Sequence, residues 1–292
     1  MPFSRLLATV APTAVVGRPK DEELDLFGLT HPGRVRKENQ DHFLLCTLHQ
    51  QIVVHGTSLP GPEHLPLRGE RMGTIMLVAD GVGGSSAGGE ASQLATEAVT
   101  SFVTSTMRCF HATDASEETI FCNALKSAVL EAHDAVRKQA AWEKLKMATT
   151  MTLAIAVWPR LYVVQVGDSR CYLYWDGKLR QVTRDQTVAQ YLVDTGAMPP
   201  EQAARSPFNN VLSSSVGGEE AKPEVSLVDI TPRGCVVLVC SDGLTKHVNN
   251  DEIAEQLRTM TSSEQAATSL LNLALERGGS DNITIVVGRA RV

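Results

Sequence analysis

No run of apolar residues in this sequence approaches the ~20 that a membrane-spanning helix requires, so no span is expected. Nor is there an excess of basic charge: 27 Lys and Arg stand against 33 Asp and Glu, a formal charge of -6 at pH 7. That balance disfavours an electrostatic search for nucleic acid or an acidic membrane, and any phosphate chemistry has to bring its own cations. The six cysteines (Cys46, Cys109, Cys122, Cys171, Cys235, Cys240) show no paired C-x-x-C spacing with histidines. This argues against structural zinc and a disulfide scaffold, and points to reduced thiols in a cytoplasmic protein. The eight histidines are scattered, and His31, His42 and His247 are read as surface or supporting residues rather than ligands. No repeat and no linker divides the chain.

What is present is a 43% hydrophobic chain of 292 residues, enough for one large packed domain. Residues 1–25 carry Pro, Lys and acids without a period and are read as a loose leader; Leu6–Val16 is mildly apolar but interrupted by Pro12, with no convincing cleavage site after it. The folded domain is expected over 26–292. The stretch Thr47–Arg71, rich in Pro, Gly and His toward its end, reads as an irregular excursion, and TIMLVA at 74–79 as a buried strand. Helices are predicted over 90–107, 117–139, 251–257 and 266–276, the second from the helical spacing of Phe121, Leu125, Ala128, Ala132 and Val136. Between them TTMTLAIAVW, LYVVQVGDS, CYLYW and KLRQVT read as an antiparallel meander, with further strands at CVVLVCS and NITIVVG. Helices and hairpins segregate, which gives an α+β class with sheets packed on each other and helices outside.

The chemistry lies in how the strands end. Asp80 follows MLVA, Asp168 follows VVQVG, Asp242 follows VLVCS, Asp281 precedes ITIVV, and Asp41 stands beside HFLLC. A single aspartate at a strand end is most often a turn former. Five carboxylates on one rim would repel strongly without cations between them, and hard divalent ions favour oxygen ligands of this kind. Glycines accompany them at Gly81, Gly83, Gly84, Gly167, Gly243, Gly278 and Gly279, where backbone can turn tightly and a carbonyl can approach a ligand.

The loop Gly81–Gly89 has rival readings. It contains no lysine, as a Walker loop needs, and Ser86 stands where a dinucleotide fingerprint has its third glycine. Gly84-Ser85-Ser86-Ala87-Gly88 does match G-x-S-x-G, the nucleophile elbow, with Asp242 and His247 available to complete a triad. Five residues separate Asp80 from Ser86, however, whereas the elbow places its serine on the sharp turn itself, and a hydrolase leaves the other aspartates unexplained.

In order along the chain, Arg36-Lys37-Glu38-Asn39-Gln40-Asp41, Ala79-Asp80-Gly81-Val82-Gly83-Gly84, Ala148-Thr149-Thr150, Val166-Gly167-Asp168-Ser169-Arg170, Thr183-Arg184-Asp185, Cys240-Ser241-Asp242-Gly243-Leu244 and Ser280-Asp281-Asn282-Ile283-Thr284 resemble the type 2C metal-dependent protein phosphatases in their compact bacterial form. The resemblance implies a central antiparallel β-sandwich flanked on both sides by helices, with two Mn²⁺ or Mg²⁺ ions at one end. It puts Asp80 between the ions, the Gly81 carbonyl on one, Asp242 and Asp281 on the other, and Asp168 on a third, weaker ion. It gives Asp41 the role of holding the water and Arg36 that of holding the phosphate. A water bridging the ions would be partly hydroxide near neutral pH and attack phosphoserine or phosphothreonine in line. Val82 replaces a histidine proposed in many eukaryotic members to protonate the leaving oxygen; Gln40, Gln186 and Ser214 also depart from common residues. Val188–Asn210 resembles the family's flap. The implied partners are phosphoproteins and a cognate serine/threonine kinase or its substrates, the chain being taken as a cytoplasmic signalling monomer. A non-catalytic binding module is the reading from another class; a chain freed from catalysis has no chemical need for Asp80, Asp242 and Asp281 together.

Overall fold

A computed structural model describes residues 17–51, 54, 68–82, 87–106, 115–203 and 206–291. After a 3-10 turn at Asp21–Glu23 come β1 (Leu24–His31), β2 (Asp41–Gln51) and β3 (Arg68–Val82), then α1 (Ala87–Thr106) and α2 (Ala115–Glu143). The chain continues through β4 (Ala148–Thr149), β5 (Met151–Val157), β6 (Arg160–Val166), β7 (Arg170–Trp175) and β8 (Lys178–Gln181). Next come α3 (Val188–Asp194), α4 (Pro200–Ala203), β9 (Glu224–Asp229) and β10 (Val236–Cys240). The last elements are α5 (Asp242–Thr245), α6 (Asn250–Thr259), α7 (Ser263–Glu276) and β11 (Ile283–Ala290).

Successive side chains of a strand point to opposite faces, and in the central strands both faces are buried. Val237 and Val239 of β10 meet Met76 and Val78 of β3 between two antiparallel sheets, of strand order β1-β11-β10-β7-β8 and β2-β3-β5-β6-β9. The alternate residues face helices. Leu77, Leu153 and Tyr162 pack under α1 and α2, while Leu238, Ile285 and Val287 pack under α6 and α7. The sandwich with helices on both sides is therefore as expected. On α1 the buried stripe is Ala87, Ala91, Ala95, Val99 and Val103, small residues four apart that let the helix lie close on its sheet. Capping fixes the helix starts on the other side: Asn249 and Glu252 form a reciprocal box for α6, and Ser262 accepts from the Gln265 N–H at the head of α7.

Three expectations need correction. The predicted meander is two hairpins on different sheets: β5 pairs with β6, β7 pairs with β8, and the chain changes sheet at Gly167–Ser169. Because β5, β6 and β7 on either side of the crossing are buried on both faces, the apolar pattern carries no mark of the change. The predicted leader runs too far, since β1 starts at Leu24 and Asp25 is buried, its carboxylate accepting from the Ser263 N–H (3.0 Å) and from Arg289 (2.9 Å). Residues 1–16 lie outside the described residues. The 47–71 excursion begins and ends as paired strand, with Thr47 opposite Thr74 and Gln51 opposite Arg68; buried Arg71 is held there by Asp21 and the Pro19 carbonyl. Among the described residues no helix is long and apolar enough to cross a membrane.

Candidate active site

The start of β2, the ends of β3 and β10, the exit of β6 and the entry to β11 lie at one end of the sandwich. Register puts Asp41, the first residue of β2, directly opposite Asp80 on β3. Asp242 opens α5 immediately after β10. A Cβ at Gly243 would collide with the backbone carbonyl of Asn282, so only glycine lets α5 approach the entry to β11 and set Asp242 beside Asp281. Asp168 is delivered by Gly167, whose φ of +100° turns the chain between sheets and whose hydrogen faces the Thr150 side chain.

The motifs singled out in the sequence are bonded to one another. The Asp80 N–H donates to Thr150 Oγ1 (3.1 Å), Thr150 N–H to the Asp80 carbonyl (2.8 Å), and Thr150 Oγ1 meets Ser169 Oγ (2.6 Å). The Gly81 N–H donates to the Gln40 carbonyl (3.2 Å), and Gly81 pairs with Thr149. Asn282 fastens the loop carrying Arg36: its amide donates to the carbonyls of Pro32 and Glu38, and its oxygen accepts from the Gln40 N–H. Asp185 clamps Arg170 with both oxygens (2.6–3.1 Å), which ties the Thr-Arg-Asp motif to the strand leaving Asp168. Gln186, read from the sequence only as a departure from a common residue, has a part in the site: its Oε1 accepts from the Gly167 N–H (3.0 Å), one residue from Asp168. His247 accepts from the Ser280 N–H, His31 from the Gly33 N–H, and His42 meets Ser92, so all three support loops or helices.

Asp41 is 3% exposed, and burial pushes its carboxyl up to about 6 although Thr284 Oγ1 donates to it (2.7 Å). Asp80 lies well above the ordinary carboxylate range, through burial first and then the charges of Asp41, Asp242, Asp168 and Asp281. Burial, aided by Asp242 and Asp185, raises Asp168 to about 7. Asp242 is raised by burial against the pull of Lys246. Asp281 goes the other way: burial would raise it, but Lys246 and Arg36 hold it below its usual value. Arg36 lies along Asp281, Nε to Oδ1 at 2.8 Å and Nη2 to Oδ2 at 3.0 Å.

Two buried carboxylate oxygens, Asp41 Oδ1 and Asp242 Oδ1, find no hydrogen-bond partner among the described residues. Stranded acceptors in a carboxylate cluster are costly, and oxygen donors of this type fit Mg²⁺ or Mn²⁺. No three His, Cys, Asp or Glu side chains among the described residues stand in ready coordination geometry; the cations inside the cluster are Arg36 and Lys246, whose Nζ reaches Asp242 Oδ2 (2.6 Å) and Asp281 Oδ2 (2.8 Å). Sequence reasoning missed Lys246, and the signal was its position four residues after Asp242 at a helix start. The cleft above the cluster, about 980 Å³, is lined by Arg36, Asp80, Gly81, Asp168, Asp242 and Asp281, together with Asn210 at the end of the 188–210 excursion and Leu212 just after it. A separate apolar cavity of about 70 Å³, lined by Leu24, Met76 and Trp158, is too small for a phosphopeptide side chain. Gly83, Gly84, Ser85 and Ser86, which carry the elbow reading, lie outside the described residues.

The protein phosphatase 2C family profile matches residues 66–277. Over 215 residues the chain is 35% identical to the serine/threonine protein phosphatase PstP of Mycobacterium tuberculosis, a stretch covering 73% of this chain and 40% of that protein. It is 31% identical to the serine/threonine phosphatase stp of Listeria monocytogenes, across 88% of this chain and 92% of the relative. The crystal structure of the catalytic domain of PstP in complex with two manganese ions superposes with a TM-score of 0.69 at 30% identity, covering 92% of this chain and 99% of that one.

Proposed function

The chain belongs to the protein phosphatase 2C family, and on that premise we propose that it hydrolyses phosphoserine and phosphothreonine in proteins with two divalent cations, Mn²⁺ or Mg²⁺. The observation that carries this reading is the gathering of five strand-end carboxylates at one rim, two of them with a buried oxygen left without a partner. Asp80, the Gly81 carbonyl, Asp242 and Asp281 are the groups suited to hold the two ions, and Asp168 a third. When bound, the ions would neutralise phosphoryl charge and acidify water at the rim. Asp41, buried beside Asp80 with one oxygen free, accepts a hydrogen bond from the attacking water and fixes its direction. Arg36, half exposed at the mouth, binds the phosphoryl oxygens with its planar fork. Val82 offers no proton, so in this reading the leaving alkoxide takes its proton from solvent in the open cleft. No side chain need be phosphorylated. The same proposal takes the chain from β1 onward, residues 24–292, as one phosphatase domain, and the protein as a cytoplasmic signalling monomer that opposes a serine/threonine kinase.

The test is turnover of an aryl phosphate and a phosphothreonine peptide by wild type, Asp80→Asn and Ser86→Ala, with Mn²⁺ and with excess chelator. Activity should require metal, fall at least about a hundredfold in Asp80→Asn and persist in Ser86→Ala. Metal-independent turnover lost with Ser86 would overturn the reading in favour of a serine hydrolase, and a folded protein without turnover would favour a binding module.

A further inference from the structure

Lys246 has no counterpart in the roles given above. The short helix α5 carries it: its N–H donates to the Asp242 carbonyl (2.8 Å), and that one turn returns the side chain over the residue that opens the helix. The ammonium then sits between Asp242 Oδ2 at 2.6 Å and Asp281 Oδ2 at 2.8 Å, with the lysine side chain 29% exposed. Asp281 is the more fully engaged acid. Its Oδ1 accepts from Arg36 Nε and from the Asn282 N–H, and its Oδ2 from both Lys246 and Arg36 Nη2. Asp80 has neither cation within bonding distance among the described residues. The positive charge is thus confined to the Asp242–Asp281 side of the rim.

Taking Asp242 and Asp281 as ligands of one divalent ion, which rests on the function proposed above, we propose that the Lys246 ammonium is a tethered competitor for that ion: it occupies the pair in the metal-free protein and must swing out for the ion to bind. A cation on a short stem is present at high effective concentration, so it opposes entry of the ion without needing any external ligand. Lys246 acts through the two carboxylates and is a positioning residue; it lowers metal affinity at this half of the rim and leaves the Gly81 side unaffected. It also supplies the counter-charge that lets the carboxylates share a buried rim in the absence of metal.

Two measurements on the chelator-stripped full chain test this. The first is calorimetric titration of MnCl₂ into wild type, Lys246→Met and Asp80→Asn. Lys246→Met should bind manganese roughly tenfold or more tighter than wild type, as loss of a charged hydrogen bond to each acid implies. Unchanged or weaker binding by the folded variant overturns the competitor role. The second needs no variant: acylation of surface amines by an N-hydroxysuccinimide ester, read by mass spectrometry with exposed Lys146 and Lys178 as internal standards. Labelling of Lys246 should rise several-fold on adding Mn²⁺, and an unchanged or reduced yield overturns the swing. Manganese binding that depends on Asp80 but ignores Lys246 sinks this proposal alone. Absence of manganese binding in every form sinks the metal reading and this one with it.

Discussion

Consider the protein stripped of divalent ions by a chelator and melted at a series of pH values between about pH 5 and about pH 8. In the folded chain the Asp168 carboxyl is moved from 3.8 up to about 7, chiefly by burial and then by Asp242 and Asp185. Between those two values the folded state holds a proton that the unfolded state has released. Stability from this group is therefore fully present below 3.8 and lost as the pH rises through about 7. One proton contributes about 1.4 kcal/mol per pH unit, so the two units from about pH 5 to about pH 7 remove about 3 kcal/mol. Asp41, raised to about 6, acts in the same direction, but both belong to one interacting cluster and the two contributions do not simply add. For a domain of this size ~3 kcal/mol corresponds to a fall in melting temperature of roughly 6–12 °C. The acids held low by partners, Asp281, Asp194, Asp229 and Glu252 at about 2, are ionised in both states across this window and contribute no slope. His42, lowered by burial, contributes a smaller slope of opposite sign. Scanning calorimetry in chelator should show the fall, Asp168→Asn should lessen it while Asp41, Asp80 and Asp242 keep the remainder, and saturating Mn²⁺ should remove it by stabilising the ionised carboxylates. A melting temperature that is level or rises with pH in the metal-free wild type would refute the claim that these acids are crowded and desolvated.

Other perturbations probe the frame around the cluster. Gly167→Ala places a methyl 2.7 Å from the Thr150 side chain at a φ of +100°, and should cost about 3 kcal/mol in urea unfolding while displacing Asp168. Asp185→Ala leaves the Arg170 guanidinium without its two-pronged partner in a largely buried place, and should also lower unfolding free energy by about 3 kcal/mol. Arg36→Ala should raise KM for a phosphothreonine peptide about tenfold with little change in thermal stability, since the side chain is half exposed.

The sheets and their helices were legible because burial on both faces leaves continuous apolar runs, and the carboxylates were legible because each interrupts such a run at its end. The change of sheet at Gly167 was not, since Val164, Val166 and Cys171 look alike to a pattern that records only apolarity. Asp242 read as a strand end and proved to be the first residue of a helix of four, a length too short to leave a periodic signal. Lys246 escaped because a basic residue beside a carboxylate is ordinary on any helix; only the convergence of Asp281 from 35 residues away gives it meaning. The part played by Gln186 depends on a contact with Gly167 across 19 residues, which no local spacing encodes.

The long hairpin of β2 and β3 has a practical use. It runs from the Asp41–Asp80 pair at the rim to the Gln51–Arg68 pair at the far end, the eleven residues of β2 making ten steps of about 3.3 Å, or roughly 33 Å. A fluorophore attached at Gln51, the last residue of β2, would ride on the side remote from the cleft. Tethered to a surface by that handle, the molecule would turn the carboxylate rim toward the solution, and a label there would leave the cleft unobstructed.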